Sequence, residues 1–229
     1  MNGGPLLALL HLCDSLFPTG SYAHSDGLEA AVAEGRVSTG ADLEHWLTVC
    51  LHECIGRCDG PVVMQAVAAA ADGRRGDLRG LDEEVHALRP SAAARRSTCH
   101  LGRRLLRTWQ ASRPDGTPGP SLAIDDLPRG TLPVAFGVVC ASIGTTPRAA
   151  VHAFAYSRLA AAASCAMRLL PIGQHEAHAR LAATLARVPR VVTDMERRTG
   201  RASRPSAFVP LLDLAAMSHQ YVHSRLFLS

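Results

Sequence analysis

The sequence contains no lysine, and every one of its 24 basic residues is arginine. A P-loop nucleotidase needs a lysine in its phosphate-binding loop, and Schiff-base catalysis needs a lysine amine. Both classes of enzyme are therefore excluded. Aromatic residues make up only 4% of the chain, so leucine, valine and alanine must fill the interior.

Three further absences concern the cellular setting. The seven cysteines are odd in number and lack paired close spacing, which argues against a secreted disulfide framework. The longest near-continuous apolar run, residues 132–143, is shorter than the roughly 20 residues that span a bilayer. The N-terminus has no basic segment typical of a signal peptide. We therefore expect a reduced, cytoplasmic protein that does not enter a membrane.

Apolar residues recur at helical spacing along most of the chain. With 47% hydrophobic and 19% charged residues, residues 1–229 are predicted to form an all-α, single-domain multi-helix bundle. The clearest stripe covers residues 43–58, with Thr39 as the N-cap and Asp59-Gly60-Pro61 as the end. Further helices are predicted at residues 62–71, 101–109, 174–188, 191–199 and 210–222, and a long helix is predicted to start after Pro147 and stop at Pro171.

Residues 133–143 are apolar on all sides, which allows a buried strand or a buried helix. We favour the helix, because a lone strand would have no partner for its backbone hydrogen bonds. Residues 112–119 and 199–206 are polar or rich in proline and glycine, and they are interpreted as exposed connections.

No pattern of nucleophile, general base or phosphate-binding loop stands out, so we expect no catalytic residue and no cofactor. Cys50, Cys54 and Cys58 lie on one apolar stripe, and the outer two are about 12 Å apart along a helix. Because a tetrahedral metal site needs all its ligands about 2.3 Å from one ion, we interpret the three as core residues. His219 and His223 are spaced to share an ion, but no further ligand is nearby in sequence. No metal site is predicted.

A basic stretch offers three interpretations. Its arginines could form a solvated helix face, meet an acidic protein partner, or contact DNA, although no helix-turn-helix or interleaved aromatic pattern accompanies them. The net charge of +4 does not by itself call for nucleic acid. The arginines concerned are Arg95, Arg96, Arg103, Arg104 and Arg107.

The segment Phe17-Pro-Thr-Gly-Ser-Tyr-Ala-His-Ser-Asp-Gly-Leu-Glu29 is a shaped loop that enters a helix. Pro18 fixes φ, and Gly20 permits backbone angles that other residues avoid. Asp26 is predicted to cap the helix, with Glu29 three residues on to complete a capping box.

This loop resembles the N-terminal signature of the UreF family of urease accessory proteins, and three further blocks are similar to segments of the same family. They occur in the expected order and span most of the chain. Two positions depart from the family pattern, Thr131 in place of a usual histidine and Gln220 in place of a common glutamate. The blocks are Gly130-Thr-Leu-Pro-Val-Ala-Phe-Gly137, Arg168-Leu-Leu-Pro-Ile-Gly-Gln174, and the ending, residues 210–219 with 224–229.

The resemblance implies an all-helical, non-enzymatic assembly protein. Such a protein would join a UreD-type chaperone (also called UreH), recruit a UreG-type GTPase and serve nickel delivery to apo-urease. It also implies a homodimer. Two other hypotheses remain open, a metallochaperone that binds nickel through its own histidines and an all-α regulator that contacts DNA.

The C-terminal tail, residues 210–229, concentrates apolar residues in a short terminal stretch. It could dock on its own domain or wait for a partner that orders it. We favour the partner, because Arg225 lies among the apolar residues and arginine is enriched at interfaces. The side chains predicted to bind partners are Phe17, Pro18, Gly20, Tyr22, His24, Ser25, Glu29, Asp213, Met217, His219, Arg225 and Phe227.

Overall fold

The computed structural model describes residues 3–112, 127–198 and 204–228. Within these ranges the chain is helical and contains no strand, which confirms the predicted all-α fold. The predicted exposed connections, residues 112–119 and 199–206, lie mostly outside the described residues. The α-helices are α1 Gly3–Cys13, α2 Leu28–Ala33, α3 Gly40–Val49, α4 Gly60–Ala71, α5 Arg75–Ala87, α6 Ala92–Ser112, α7 Leu132–Ile143, α8 Pro147–Leu169, α9 Gln174–Leu185, α10 Val188–Arg198 and α11 Pro210–Ser218.

Helix α7 lies at the centre of the core, with residues 133–140 all buried, so the helix favoured for this ambiguous segment is confirmed. It packs most extensively against α4 and α6. At Gly137 a Cβ atom would lie 2.6 Å from Cβ of Ala66 and 2.9 Å from the carbonyl oxygen of Val63. The missing side chain therefore allows the α4 and α7 backbones to approach closely.

Local signals set several helix ends as predicted. Thr39 caps α3 through a capping box, in which its hydroxyl accepts from the Asp42 N–H and the Asp42 carboxylate accepts from the Thr39 N–H. Helix α8 begins at Pro147, where Thr146 supplies the cap, and it ends before Pro171. The break between α9 and α10 falls before Pro189, so that proline lies in the first turn of α10 instead of separating the two helices.

The predicted end at Asp59-Gly60-Pro61 is wrong. Residues Cys50–Asp59 form a π-helical segment that runs straight into α4, and the Gly60 N–H donates to the carbonyl of Ile55, five residues back. Pro61 is the second residue of α4, so this proline lies inside a continuous helical segment instead of ending one. Helices α1 and α5 were not predicted from the sequence periodicity, although α5 has a buried apolar stripe of Leu78, Leu81 and Val85.

Candidate docking site

The tail is held at its far end by one buried carboxylate. Glu29, in α2, is 3% exposed, and its Oε1 accepts from the Leu226 N–H at 2.6 Å. Its Oε2 accepts from the Phe227 N–H at 3.3 Å and lies 2.6 Å from Nε2 of His219, itself 2% exposed. Glu29 therefore ties the short 3₁₀ turn after α11 and the last residues of the chain to the start of α2.

Arg168 joins the tail to the opening loop, defined here as residues 17–27. Its guanidinium lies 4.1 Å from the centre of the Phe227 ring, a cation–π contact, and donates to the Tyr22 carbonyl. The Leu228 N–H donates to the Ala23 carbonyl at 2.8 Å. The loop, the end of α8 and the tail thus meet at one place.

The tail is consequently ordered by its own domain, and the interpretation that it waits for a partner is wrong for residues 210–228. Besides the Glu29 contacts, Ser218 Oγ donates to Glu34 at 2.7 Å and Arg36 donates to the Leu211 carbonyl at 3.2 Å. Phe227 is 4% exposed, so its ring is part of the core and not an anchor held out for another protein.

The predicted capping box at Asp26 and Glu29 is also wrong. The residue before α2 is Gly27, with φ +89° and no side-chain cap, and the Asp26 carboxylate pairs with Arg158 instead. A Cβ at Gly27 would lie 2.8 Å from the backbone nitrogen of Ala216. Gly27 is therefore needed twice, for its positive φ and for the close crossing of α11.

The structure divides the predicted partner-binding side chains by exposure. Six are buried in this chain: Phe17, Gly20, Ser25, Glu29, His219 and Phe227. Two, His24 and Asp213, are half-buried. Four face outward: Pro18, Tyr22, Met217 and Arg225. Direct contact with another protein remains a prediction for the four exposed residues. The six buried residues can affect a partner only indirectly, because they hold the exposed residues in position.

Around this junction the tail exposes more apolar surface than the sequence prediction named. Leu211 and Leu214, three residues apart on the outer side of α11, are 64% and 57% exposed. We define the tail patch as these two leucines together with Met217, Tyr221, Leu226 and Leu228, all exposed. Soluble domains rarely leave so many large apolar side chains together in water unless the surface binds something.

Comparison with known proteins identifies the chain. The UreF family model matches residues 37–185, about two thirds of the sequence. The urease accessory protein UreF of Methylibium petroleiphilum is 34% identical over 98% of this chain and 94% of the relative. The chain belongs to the UreF family.

Two further relatives of the UreF family extend the comparison. The urease accessory protein UreF of Azoarcus is 30% identical over 98% of this chain and 96% of the relative. The bifunctional urease accessory protein UreEF of Bordetella bronchiseptica is 30% identical over 100% of this chain but only 53% of its own length. These names are those of accessory proteins and not of enzymes, in agreement with the expectation of a non-enzymatic chain.

Three of the four UreF-like blocks converge in space. The opening loop, the Arg168 block at the end of α8 and the tail form the junction described above. The remaining block starts at Gly130 and is anchored separately by Asp82, a buried residue of α5. Asp82 accepts from the N–H groups of Arg129, Gly130 and Thr131 and from the Thr131 hydroxyl, at 2.6–2.9 Å. Sequence reasoning missed Asp82 because its partners lie almost fifty residues away.

His24 lies beneath the exposed loop and is kept neutral. Burial lowers the pKa of His24 from 6.5 to about 4, with further lowering by the positive charges of Arg158 and His100. Its Nδ1 lies 3.1 Å from Ser97 Oγ, on α6. The ring therefore connects the loop to α6 without carrying charge at neutral pH.

The three cysteines of the π-helical segment face a cavity of about 180 Å³ between that segment, α6, α8 and the tail. Cys58 is buried as predicted, whereas Cys50 and Cys54 are only half-buried. A hydrogen bond with Cys50 and burial together hold the pKa of Cys54 well above its usual range, and burial raises that of Cys58. The thiols of Cys54 and Cys58 are therefore protonated at neutral pH.

Two kinds of feature are absent from the described residues. No group of three or more histidine, cysteine, aspartate or glutamate side chains is arranged to hold a metal ion in residues 3–112, 127–198 and 204–228. Within the same ranges, none of the helices has the length and apolar character that crossing a membrane requires. Of the i, i+4 histidine pair, His219 contacts the Glu29 carboxylate, while His223 is exposed.

Proposed function

We propose that this UreF-family chain is a non-enzymatic assembly factor in urease maturation. In this proposal it joins a UreD-type (UreH-type) chaperone, recruits a UreG-type GTPase, and serves nickel insertion into apo-urease in the cytoplasm as a homodimer. The family membership and the names of the relatives support the accessory role. The partners follow from the resemblance of the four sequence blocks.

The observation that carries the proposal is an exposed apolar surface whose helix and terminal residues are held in place by contacts with the rest of the chain. The tail patch lies on α11 and the last residues of the chain, while Glu29, Arg168 and the buried Phe227 hold these elements in place. A surface that is ordered before binding costs less conformational entropy on association than a disordered tail would. The tail patch, with Tyr22 beside it, is therefore suited to receive an apolar surface of another protein.

The proposal is tested by removing apolar surface from the tail without altering its attachment. In the double variant Leu211→Asn and Leu214→Asn, we expect the chain to fold normally but to lose co-purification with the UreD-type chaperone and the UreG-type GTPase. Exposed leucines of α1 provide a matched control, Leu7→Asn with Leu10→Asn, because these are 68% and 59% exposed against 64% and 57% in the tail.

Retention of both partners by the tail variant, or equal loss of them in the α1 control, would contradict the assignment of docking to the tail patch. A wild-type chain that binds neither the chaperone nor the GTPase would contradict the proposed function itself.

A further inference from the structure

The outward face of α6 carries a row of arginine side chains. We define the arginine stripe as Arg96, Arg103, Arg104 and Arg107, all exposed, with His100 between them. The row extends over twelve residues, about 16 Å of helix from Arg96 to Arg107. Helix α6 contains no aspartate or glutamate in its whole length, Ala92–Ser112. Arg95, the fifth arginine of the stretch, is half-buried and donates to the carbonyls of Arg89 and Pro90 instead.

In the part of the chain that the structure describes, no carboxylate neutralises the four arginines of the stripe. Arg103 and Arg104 each donate to one backbone carbonyl, of Pro128 at 3.2 Å and Pro18 at 2.9 Å, which fixes their direction without removing charge. The acidic residues nearby on α5 are already engaged. Asp82 is buried among four donors, and Glu83 pairs with Arg129 at 3.0 Å.

Such an arrangement does not stabilise the isolated chain. Like charges three or four residues apart on a helix repel one another by a few tenths of a kcal/mol per pair, and Arg107 has this spacing from both Arg104 and Arg103. Within residues 3–112, 127–198 and 204–228, the positive charge of the stripe is therefore not compensated by a carboxylate.

The stripe and the tail patch flank the same loop. On one side of the opening loop Arg104 holds the Pro18 carbonyl, and the ring of His100 lies 6.3 Å from that of His24. On the other side Leu228 and Arg168 hold Ala23 and Tyr22. One continuous surface therefore passes from the apolar tail, across the loop, to the basic row of α6.

We propose that the arginine stripe is the electrostatic half of the docking surface, and that the protein seated on it presents a row of aspartate and glutamate side chains beside an apolar patch. This inference rests on the proposed function and adds the charge of the partner's surface. Guanidinium groups with free N–H donors form strong, often bidentate hydrogen bonds with carboxylates. A protein partner is favoured over duplex DNA because the adjoining leucines and tyrosines have no counterpart on a phosphate backbone.

The test reverses charge at the two stripe arginines that make no hydrogen bond within the described structure, Arg96→Glu with Arg107→Glu. The charge-matched control is Arg190→Glu with Arg197→Glu on α10, whose side chains are 90% and 77% exposed. Affinity for the purified UreD-type chaperone and UreG-type GTPase is measured at low and high salt, with circular dichroism to verify folding. If the charge reversal perturbs the helix, the double variant Arg96→Gln with Arg107→Gln, which only removes the positive charge, is measured in its place.

We expect the stripe variant to bind about tenfold or more weakly at low salt, and to lose most of the salt dependence of wild type, while the α10 control binds normally. Wild-type affinity in the stripe variant, together with loss in the Leu211/Leu214 variant, would overturn the stripe's role and leave the proposed function intact. Absence of binding by wild type would overturn both. Salt-sensitive binding of a 30-base-pair DNA duplex that the stripe variant abolishes, with unchanged protein binding, would assign the stripe to nucleic acid.

Discussion

At the scale of single residues, the buried carboxylate of Glu29 has the largest consequence. Its two oxygens receive the Leu226 and Phe227 amides and lie against His219, almost two hundred residues away in sequence. The amino-acid sequence shows only a glutamate at the start of a helix, where capping is the ordinary role. The tertiary contact determines that it anchors the tail instead.

Glu29→Gln should release the tail. The amide nitrogen cannot accept a hydrogen bond, so a buried amide or the His219 ring loses its partner, and we expect a loss of about 2–4 kcal/mol in unfolding free energy. Urea denaturation measures the loss, and hydrogen exchange at Leu226 and Phe227 locates it. Glu34→Gln is the control, because that exposed carboxylate also contacts the tail through Ser218. Equal effects of the two substitutions would show that burial of Glu29 is unimportant.

His24 should make stability depend on pH. Because its pKa falls from 6.5 to about 4 on folding, the unfolded chain binds the extra proton between those values. The contribution of neutral His24 to the free energy of unfolding is therefore complete above about pH 6.5 and is lost progressively as the pH falls towards 4. Wild type should lose more stability than His24→Gln between pH 7 and pH 5, measured by urea denaturation. Parallel pH profiles for the two proteins would contradict the assignment.

At the scale of helices, the sequence predicted what depends on near neighbours. Thr39 caps α3, α8 begins at Pro147, and the apolar run of α7 is buried as expected. The failures have non-local causes. Gly60 and Pro61 resemble a stop, but the π-helical turn before them lets the helix continue, and no local pattern distinguishes a π from an α turn.

Two helical glycines should respond oppositely to alanine. Gly137→Ala places a methyl group 2.6 Å from the Ala66 Cβ, so α4 and α7 must separate, with an expected loss of about 1–3 kcal/mol. Gly80→Ala, in α5, meets nothing within 4 Å and should gain about 0.5–1 kcal/mol through lower backbone entropy in the unfolded state. Thermal unfolding of both variants measures the difference in stability. An unchanged stability in Gly137→Ala would mean that α4 and α7 can move apart at little energetic cost.

At the scale of the whole molecule, the fold brings distant sequence blocks into one surface. The opening loop, the end of α8 and the tail are far apart in the chain yet share direct hydrogen bonds. Helix α6 supplies the basic side of that surface. That residues 1–229 form a single domain stays a prediction, although the buried apolar residues of the described ranges form one connected cluster.

Self-association belongs to this scale as well. We expect the full-length protein to sediment as a homodimer, and the Leu211→Asn/Leu214→Asn variant to remain dimeric, because the tail patch is assigned to other proteins. Analytical ultracentrifugation over a range of concentrations measures this. A monomer at all concentrations would contradict the expected dimer, and a dimer lost in the tail variant would assign the tail patch to self-association.

The sequence by itself determined the helical fold, several helix ends, the family and the candidate loop and tail, because these depend on the spacing of apolar residues, on capping residues and on short motifs of neighbouring residues. It could not decide which of the candidate side chains face outward. Glu29, His219 and Phe227 are buried, and Leu211 and Leu214 are exposed, only because α11 crosses α2 at Gly27 and returns the last residues to the opening loop. That crossing is set by packing between residues about 190 positions apart, on which local sequence carries no information.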